Sequence, residues 1–326
     1  MTLRIATFNL ENLGDRATAD SELDDRIAAL RPQLVRLEAD ILCLQEVNAQ
    51  QESSRRRTLR ALERLLEDTQ YASYNRVATT SISGGKPRDV QNLVTLCRFP
   101  VLESREYLND LVARPDYAYA TSGGSESAPI SWDRPILHAS IELPGGKALE
   151  IVNLHLRAPL PSFIDGQKLD TFVWKSVSGW AEGTFVSEVK RTGQALEARF
   201  LIDGLFDAVP DASIVVLGDL NADGREAPLK ILRGDVDETG NADLASRVLT
   251  PLELSLPVDR RFSVLHFGKA VMLDHILVSR AMLGRFRSAD IHNELLTDEL
   301  VSFFAGRRDA GSYHAPVVAE FALDVR

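Results

Sequence analysis

The chain has 326 residues, a formal net charge of −10, and ordinary globular proportions of hydrophobic (44%) and charged (26%) residues. This composition excludes general disorder, and the acidic balance disfavours tight, non-specific binding to nucleic acid. Bound divalent cations would offset that charge locally, so a nuclease is not excluded. The N-terminus carries no secretory signal pattern and no apolar run approaches the roughly 20 residues that span a bilayer, which predicts a cytoplasmic protein.

The first part of the chain alternates between strand and helix patterns. Residues 3–10 predict a strand, and residues 23–38 predict an amphipathic helix in which Pro32 marks a break or kink. Residues 39–47 predict a buried strand, and residues 53–69 predict a second helix. Helices that flank strands in this way are typical of an α/β fold.

The middle of the chain is rich in strand patterns, at residues 71–80, 91–108, 135–144 and 149–157. Gly145 and Gly146 predict a hairpin between the last two. A long helical pattern follows at residues 187–209. Two further strands are predicted at residues 212–221 and 272–279, and a final apolar segment follows the motif at residues 312–317. These patterns predict stacked sheets with helices outside. The segment 159–188 is predicted to be an insertion or a mobile loop.

Polar side chains interrupt the apolar strand patterns at several places: Asn9, Glu46, Asn153, His155, Asp219, Asn221, Asp274, His275 and His314. Burying such a group without a partner costs roughly 1–3 kcal/mol, and more for a charge. One interruption is easily a satisfied core residue, whereas many at strand ends indicate convergence on a single site.

The residue types also agree on one chemistry. Carboxylate and amide oxygens are hard ligands that suit Mg²⁺ or Mn²⁺. Histidines without cysteine partners act as acids, bases or hydrogen-bond donors. Cys43 and Cys97 lie in apolar runs and indicate buried residues, not a zinc site or a disulfide. A cation, an activated water and donors for developing charge are what phosphate ester hydrolysis requires.

The ordered motifs TFNLEN, LQEV, NLH, GDLN, LDHI and SYHAPV run from near residue 5 to near residue 318. With them the chain resembles the endonuclease/exonuclease/phosphatase family, the deoxyribonuclease I-like superfamily. The resemblance implies a four-layer α/β sandwich of two packed mixed β-sheets flanked by helices. It also implies a single catalytic domain over residues 1–326 and a metal-dependent hydrolase of phosphate esters.

The resemblance implies a role for each matching residue around the metal and the water. Asn9 and Glu46 match the metal-binding positions, with Glu46 the central ligand of Mg²⁺ or Mn²⁺. Asp219 and Asn221 match the pair that orients the nucleophilic water and contacts phosphate or metal.

The remaining roles concern the phosphate. His155 matches the histidine that helps stabilise the phosphate or the leaving group. His314 matches the second catalytic histidine, and Asp274 matches the carboxylate that orients it. Arg134, in WDRPILHA, looks like the strand arginine that meets a phosphate, and Asn153 is assigned to substrate binding.

One position departs from the family pattern. Tyr313 stands where the family usually has an acid, directly before the last histidine. The loss of that acid favours one bound ion over two. Because His314 is retained and Asp274 can still orient it, the prediction of an active enzyme stands.

Several of these residues also have structural interpretations. Asn9 and Asp219 are common turn residues, and Arg134 could pair with the neighbouring Asp133. His275 should face the opposite side of its strand from Asp274, so it is left out of the site. Arg191 and Gln194, near the start of the long helix, have the interpretation that they cap or solvate it. Before them, the segment with Lys168, Trp174, Lys175 and Trp180 could stack on a base or bind phosphate, or could pack as a loop over the sheet edge.

The substrate is open at this level. DNA or RNA is the leading substrate class implied by the resemblance, and a nucleotide, inositol phosphate, lipid head group or other small phosphate ester is the alternative. A catalytically silent binding module of the same fold is a third possibility, which only Tyr313 supports. The sequence gives no oligomeric state.

Overall fold

A computed structural model of the chain describes residues 2–14, 20–53, 56–81, 84–123, 127–306 and 309–323. Within these residues the elements are, in chain order, β1 (Thr2–Leu13), α1 (Asp20–Leu37), β2 (Ile41–Val47), β3 (Gln50–Ser53), β4 (Arg56–Thr58), α2 (Arg60–Leu66), β5 (Asn75–Ala78), β6 (Asn92–Cys97), β7 (Val101–Tyr107), β8 (Asp116–Ala118), β9 (Ser127–Pro129), β10 (Ile136–Leu143), β11 (Lys147–His155), β12 (Lys168–Asp170), β13 (Val173–Trp174), α3 (Val177–Ala208), β14 (Ile214–Asp219), α4 (Ala227–Arg233), α5 (Val236–Thr239), β15 (Thr250–Pro251), β16 (Val264–His266), β17 (Lys269–Val271), β18 (Asp274–Val278), α6 (Arg280–Leu283), β19 (Phe286–Ile291), α7 (Glu299–Phe304) and β20 (Val317–Ala322). No helix among these residues is long and apolar enough to cross a membrane.

Two six-stranded sheets carry the fold. The first sheet has the strand order β19-β20-β1-β2-β6-β5, and the second has the order β15-β18-β14-β11-β10-β7. β1 and β2 are parallel, as are β11 and β14, while the other neighbours are antiparallel. Both sheets are therefore mixed, as the resemblance implies.

Strand alternation divides the side chains of each sheet between two layers. Ile5 and Cys43 of the first sheet pack against Ile151, Leu217 and Ile276 of the second, and all five are fully or almost fully buried. The layer between the sheets is therefore an apolar core, and any polar group buried at the edge of this layer must find hydrogen-bond partners.

Helices cover the two outer faces. On the first sheet, Leu30 and Leu34 of α1 pack against Phe8 of β1. On the second sheet, Ala198 and Ile202 of α3 belong to one apolar cluster with the outward-facing side chains of β11 and β14. This arrangement confirms the predicted four-layer α/β sandwich.

The structure corrects three of the predicted helix boundaries. Pro32 lies inside α1, which continues through it to Leu37. The second helix begins at Arg60, because Arg56–Thr58 pair with β3 as the strand β4. α3 begins at Val177, ten residues before the predicted start.

The segment 159–188 is built from several elements. It consists of a loop, the hairpin β12–β13 and the first turns of α3. Ser176 caps α3 by accepting a hydrogen bond from the Gly179 amide at 2.9 Å.

Candidate active site

A polar cluster closes one end of the layer between the sheets. Asn9, His155 and Asp219 follow the inward-facing apolar residues of β1, β11 and β14 at two-residue spacing, near the carboxyl ends of those strands. Asp274 opens the antiparallel β18 and pairs in register with Asp219, which itself pairs with His155. The alternation that builds the core thus also brings these side chains to the same edge.

Glu46 and Asn221 reach this edge through unusual backbone conformations. Their φ angles are 58° and 46°, in the left-handed region that costs a non-glycine residue about 1–3 kcal/mol. The register of β2 with β6 shifts beyond Leu44, so Glu46 leaves the regular alternation. Its Oε2 accepts a hydrogen bond from the Asn12 amide at 3.0 Å, which holds the carboxylate at the end of β1.

Asp219 is the centre of the hydrogen-bonding network. Its Oδ2 accepts from Asn9 Nδ2 at 2.9 Å and Asn221 Nδ2 at 3.0 Å, and lies 3.3 Å from His155 Nε2. Its Oδ1 accepts from the Asn221 amide at 2.9 Å. Glu46 Oε1 lies 3.5 Å from both Asn9 Nδ2 and His155 Nε2.

The charge of Asp219 is set by its neighbours. Burial alone would raise its pKa, but the nearby His314 and His155 outweigh burial and lower the pKa well below the usual range. Asp219 is therefore an ionised carboxylate, which can accept a proton or bind a cation.

A hard divalent cation fits this donor set. The ligand atoms of Glu46, His155 and Asp219 lie within 4.8 Å of one another, and those of Asp219, Asp274 and His314 form a second such group. The Oδ1 of Asp274 is buried and has no hydrogen-bond partner among the described residues. Clustered carboxylate oxygens of this kind suit Mg²⁺ or Mn²⁺.

Asn9 is oriented differently from a simple metal ligand. Its Nδ2 faces the two carboxylates, and its Oδ1 accepts a hydrogen bond from the Glu11 amide at 2.8 Å. Ligation of a metal by the Asn9 oxygen therefore requires the side-chain amide to flip. Its metal-binding role stays a prediction.

His314 faces the cluster from the first sheet. Its Nδ1 lies 2.8 Å from Asp274 Oδ2, as expected for an oriented histidine. Burial would lower its pKa, but Asp274 and Asp219 outweigh burial and raise the pKa to about 10. His314 is therefore an imidazolium at neutral pH and can donate hydrogen bonds to an anion.

Arg134 lies at the other side of the cluster. Its Nε donates to Gln91 Oε1 at 2.9 Å and its Nη1 to the Leu156 carbonyl at 2.8 Å. Burial lowers its pKa, against the opposing effect of Glu46 and Asp219. The alternative pairing with Asp133 is not formed in the described contacts. The guanidinium therefore remains available to a phosphate.

Asn153 is not brought to the cluster's open side. It is fully buried between the sheets, where its Oδ1 accepts from Gln45 Nε2 at 2.8 Å and its Nδ2 donates to the Val94 carbonyl at 3.2 Å. These bonds connect the two sheets at the position two residues before His155 along β11. Its predicted contact with substrate stays untested, and its position is that of a supporting residue.

The region of Tyr313 contains a carboxylate that sequence reasoning missed. Tyr313 is buried, and its hydroxyl accepts from the Asp309 amide at 3.0 Å. Its own amide donates to Glu11 Oε2 at 2.9 Å, and burial raises the pKa of Glu11. The available signal was the position of Glu11 in TFNLEN, two residues after Asn9.

Two further supporting residues come from α3, and the interpretation that they cap or solvate the start of the helix was wrong. Arg191 is 2% exposed and its Nη2 donates to the Asn221 carbonyl at 2.6 Å. Gln194 Nε2 donates to the Arg134 carbonyl at 3.1 Å and the His155 carbonyl at 3.4 Å. Their spacing of three residues on a helix that packs on the sheet was the signal for a shared inward face.

His275 faces away from the cluster, as its position beside Asp274 predicts. Its Nδ1 lies 2.7 Å from Glu253 Oε1, and its Nε2 lies 2.9 Å from the Ala222 carbonyl. Gly218, in the GDLN motif, is required for strand packing, because a Cβ there would lie 1.9 Å from the Leu154 carbonyl oxygen.

Comparison with known proteins agrees with this geometry. The sequence model of the "Endonuclease/Exonuclease/phosphatase family" matches residues 6–314. No curated protein matches the chain.

Solved structures share the fold. An endonuclease/exonuclease/phosphatase family protein from Bacteroides thetaiotaomicron has a TM-score of 0.60 at 15% identity, covering 100% of this chain and 96% of that one. A mannosyl-6-phosphatase from the same species gives 0.57 at 14% (98% and 100%), and D. rerio TDP2 complexed with a single-strand DNA product gives 0.54 at 17% (99% and 99%).

The family comprises phosphoric ester hydrolases that generally depend on a divalent metal, in agreement with the carboxylate and histidine groups found here. The match extends over nearly the whole chain and includes the cluster from Asn9 to His314. The chain belongs to the endonuclease/exonuclease/phosphatase family.

Proposed function

We propose that the chain hydrolyses phosphate esters. More specifically, we propose that it is a phosphodiesterase that acts on DNA or RNA. One observation carries the proposal: the ligand atoms of Glu46, His155 and Asp219, and those of Asp219, Asp274 and His314, form two groups at the edge of the sheets, with the atoms of each group within 4.8 Å of one another. A base for water and a donor for phosphate oxygens are thereby close together.

In the proposed reaction a water bonds to phosphorus as the bond from phosphorus to the leaving oxygen breaks. Asp219, positioned by the amide of Asn221, accepts the proton of that water. The imidazolium of His314, held by Asp274, donates a hydrogen bond to a phosphoryl oxygen. His155, between the two carboxylates, stabilises the phosphate or the leaving group.

Glu46 and Asp219, with His155 or a turned Asn9, would hold one Mg²⁺ or Mn²⁺ ion. Such an ion supplies charge stabilisation at the phosphoryl oxygens. The choice of ion and the number of ions are part of the proposal. So are the single catalytic domain over residues 1–326 and the cytoplasmic location.

A phosphatase or phosphodiesterase for a small phosphate ester is the second candidate. The net charge of −10 favours it, because an acidic surface repels a long polyanion unless the binding face is locally basic. Metal binding without hydrolysis would instead identify a silent binding module.

A substrate panel tests the proposal. Plasmid DNA, single-stranded DNA, RNA, bis-p-nitrophenyl phosphate and several phosphomonoesters would each be incubated with Mg²⁺, with Mn²⁺ and with EDTA. We expect cleavage of a phosphodiester that EDTA abolishes. Turnover of phosphomonoesters alone would shift the assignment to a phosphatase, and no turnover of any ester would refute it.

A further inference from the structure

A cavity of about 570 Å³ opens beside Arg134. Its walls come from the loop between β5 and β6 and from the turn before β10, and are formed by Ser81, Arg88, Asp89, Val90, Gln91, Asp133 and Arg134. Arg134 connects this cavity to the polar cluster, because its Nη1 and the Nδ2 of Asn221 donate to the same Leu156 carbonyl, at 2.8 and 3.0 Å. The cavity is therefore an extension of the candidate active site.

Hydrogen bonds hold the backbone of residues 88–92, which carries Arg88. The Arg88 amide donates to Asn92 Oδ1 at 2.8 Å, and Asn92 Nδ2 donates back to the Arg88 carbonyl at 2.9 Å. Asn92 is itself fully buried. Gln91 has a φ of 54°, and its amide donates to Asn48 Oδ1 at 2.7 Å. Arg88 is thus presented from a defined backbone, which lowers the entropy cost of binding.

The two aspartates of the cavity are neutralised from outside it. Asp89 lies 3.7 Å from the guanidinium of Arg57. Asp133 contacts Lys190 at 2.7 Å and also pairs with Arg157. Three cations behind the wall thus offset two anions in it, so the neighbourhood is positive in a chain whose net charge is −10.

Neither arginine of the cavity forms an ion pair within the described part of the chain, although the carboxylates of the polar cluster act on Arg134 from a distance. Arg134 donates only to neutral oxygens, those of Gln91 and Leu156, in its described bonds. The guanidinium of Arg88, which is partly buried, forms no hydrogen bond or ion pair with the described part of the chain. Guanidinium groups bind phosphate by paired, charge-assisted hydrogen bonds.

We propose that Arg88 and Arg134 form a second anion subsite, which binds a phosphate group of the substrate other than the one that is hydrolysed. This inference rests on the proposed function and narrows its substrate to molecules with at least two phosphates. A polynucleotide and a small bisphosphate share this chemistry. Val90, 51% exposed on the wall, offers an apolar contact to the sugar or base between the phosphates.

The test compares matched substrates that differ by one phosphate. Dinucleoside monophosphates with and without a terminal phosphate form one arm, and a sugar monophosphate and its bisphosphate form the other. For the wild type we expect the second phosphate to lower KM. In Arg88→Ala this preference falls roughly 10-fold, mainly through KM, because a charge-assisted hydrogen bond is lost. Arg88→Lys, which keeps the positive charge, should retain part of the preference for the second phosphate.

Arg287→Ala is the matched control, since Arg287 is exposed on β19, at the opposite edge of the first sheet. It should keep the preference. Equal preference in Arg88→Ala and wild type overturns the subsite while leaving the proposed hydrolysis intact. A preference confined to one arm identifies the source of the second phosphate.

If the wild type hydrolyses no ester, the proposed function fails and binding decides the subsite. Calorimetry with pyrophosphate in EDTA is then the readout. Weaker binding by Arg88→Ala than by Arg287→Ala supports the subsite, and equal binding overturns it.

Discussion

Adjacent residues of β18 form two histidine–carboxylate pairs that differ in the surroundings of the second ring nitrogen of the histidine. Asp274 lies 2.8 Å from His314 on the inner face of the sheet, and His275 lies 2.7 Å from Glu253 on the outer face. His275 is fully buried and its second ring nitrogen lies 2.9 Å from the Ala222 carbonyl. The His314 side chain is 16% exposed, and its second ring nitrogen has no partner among the described residues. A free, charged nitrogen, not the pair itself, distinguishes the candidate active site.

The electrostatic surroundings of the two pairs differ as well. Burial opposes the charge of both histidines, and the pKa of His275 is nevertheless raised to about 8 by Glu253. The pKa of His314 is raised to about 10 because Asp274, Asp219 and Glu46 all act on it. Convergent carboxylates are costly to fold, so their presence around His314 indicates a functional site. The first four predictions below separate the two pairs.

The largest effect is expected at the inner site. Glu46→Gln and His314→Gln should each lower kcat/KM for the best phosphate ester by roughly 10³-fold or more, because each removes charge that acts on the phosphoryl group. Thermal unfolding of Glu46→Gln should change little, since Gln preserves the size of Glu and its amide oxygen can still accept the hydrogen bond from the Asn12 amide. Activity within a few-fold of wild type in either variant would contradict the assigned roles.

The outer pair should show the opposite behaviour. His275→Leu leaves the Glu253 carboxylate, 6% exposed, buried without its partner. A broken buried pair costs about 3–5 kcal/mol, to be measured as the free energy of unfolding in urea. The kcat per folded molecule should stay near that of wild type. Adding Glu253→Leu should recover much of the loss, and no recovery would argue against an electrostatic cause.

The pair of His275 and Glu253 should also make the stability of the protein depend on pH. The folded-state pKa of His275, about 8, lies above the ordinary histidine value of about 6.5. The pair's contribution is therefore fully present below about pH 6.5 and is lost as the pH rises through 8. The difference in unfolding free energy between wild type and His275→Leu should shrink over this window. A difference that grows with pH would reverse the sign of the linkage.

A smaller effect is expected when the orienting carboxylate of the inner pair loses its charge. Asp274→Asn keeps a hydrogen-bond acceptor for His314, but removes one of the anions that raise its pKa. Activity that requires the imidazolium should then decline at a pH about one unit lower than in wild type. At neutral pH the loss in kcat should be roughly 10- to 100-fold. An unchanged alkaline limb of the pH–rate profile would exclude His314 as its source.

Much of the site was readable from the sequence because local rules place it. Two-residue alternation carries Asn153 and His155 to one face, and the order of the motifs identifies the family. Glu46 was identified by its poor fit to a core, although its left-handed φ is not visible in the sequence. The edge of the sheets at which the groups meet follows from the strand directions.

The rest depends on contacts between distant parts of the chain. Arg191 looks like a surface cation until α3 is docked on the second sheet, where it reaches the carbonyl of Asn221. Glu11 looks like an exposed strand residue until the segment before β20 folds over it. Arg88 lies in a polar loop whose shape comes from Asn92. Residue type and spacing can indicate that such a residue faces inward, but they do not identify its distant partner.

The smallest effect is expected at Asn153, which the sequence assigns to the substrate and the structure places between the sheets. Asn153→Leu is close in size but leaves the amide of Gln45 without its acceptor, which should cost about 1–3 kcal/mol of stability. Adding Gln45→Leu should return most of that loss, because apolar groups then replace both partners. KM should be unchanged in both variants, since no substrate atom reaches a fully buried amide. A raised KM in a variant of wild-type stability would reverse this conclusion and return Asn153 to the substrate.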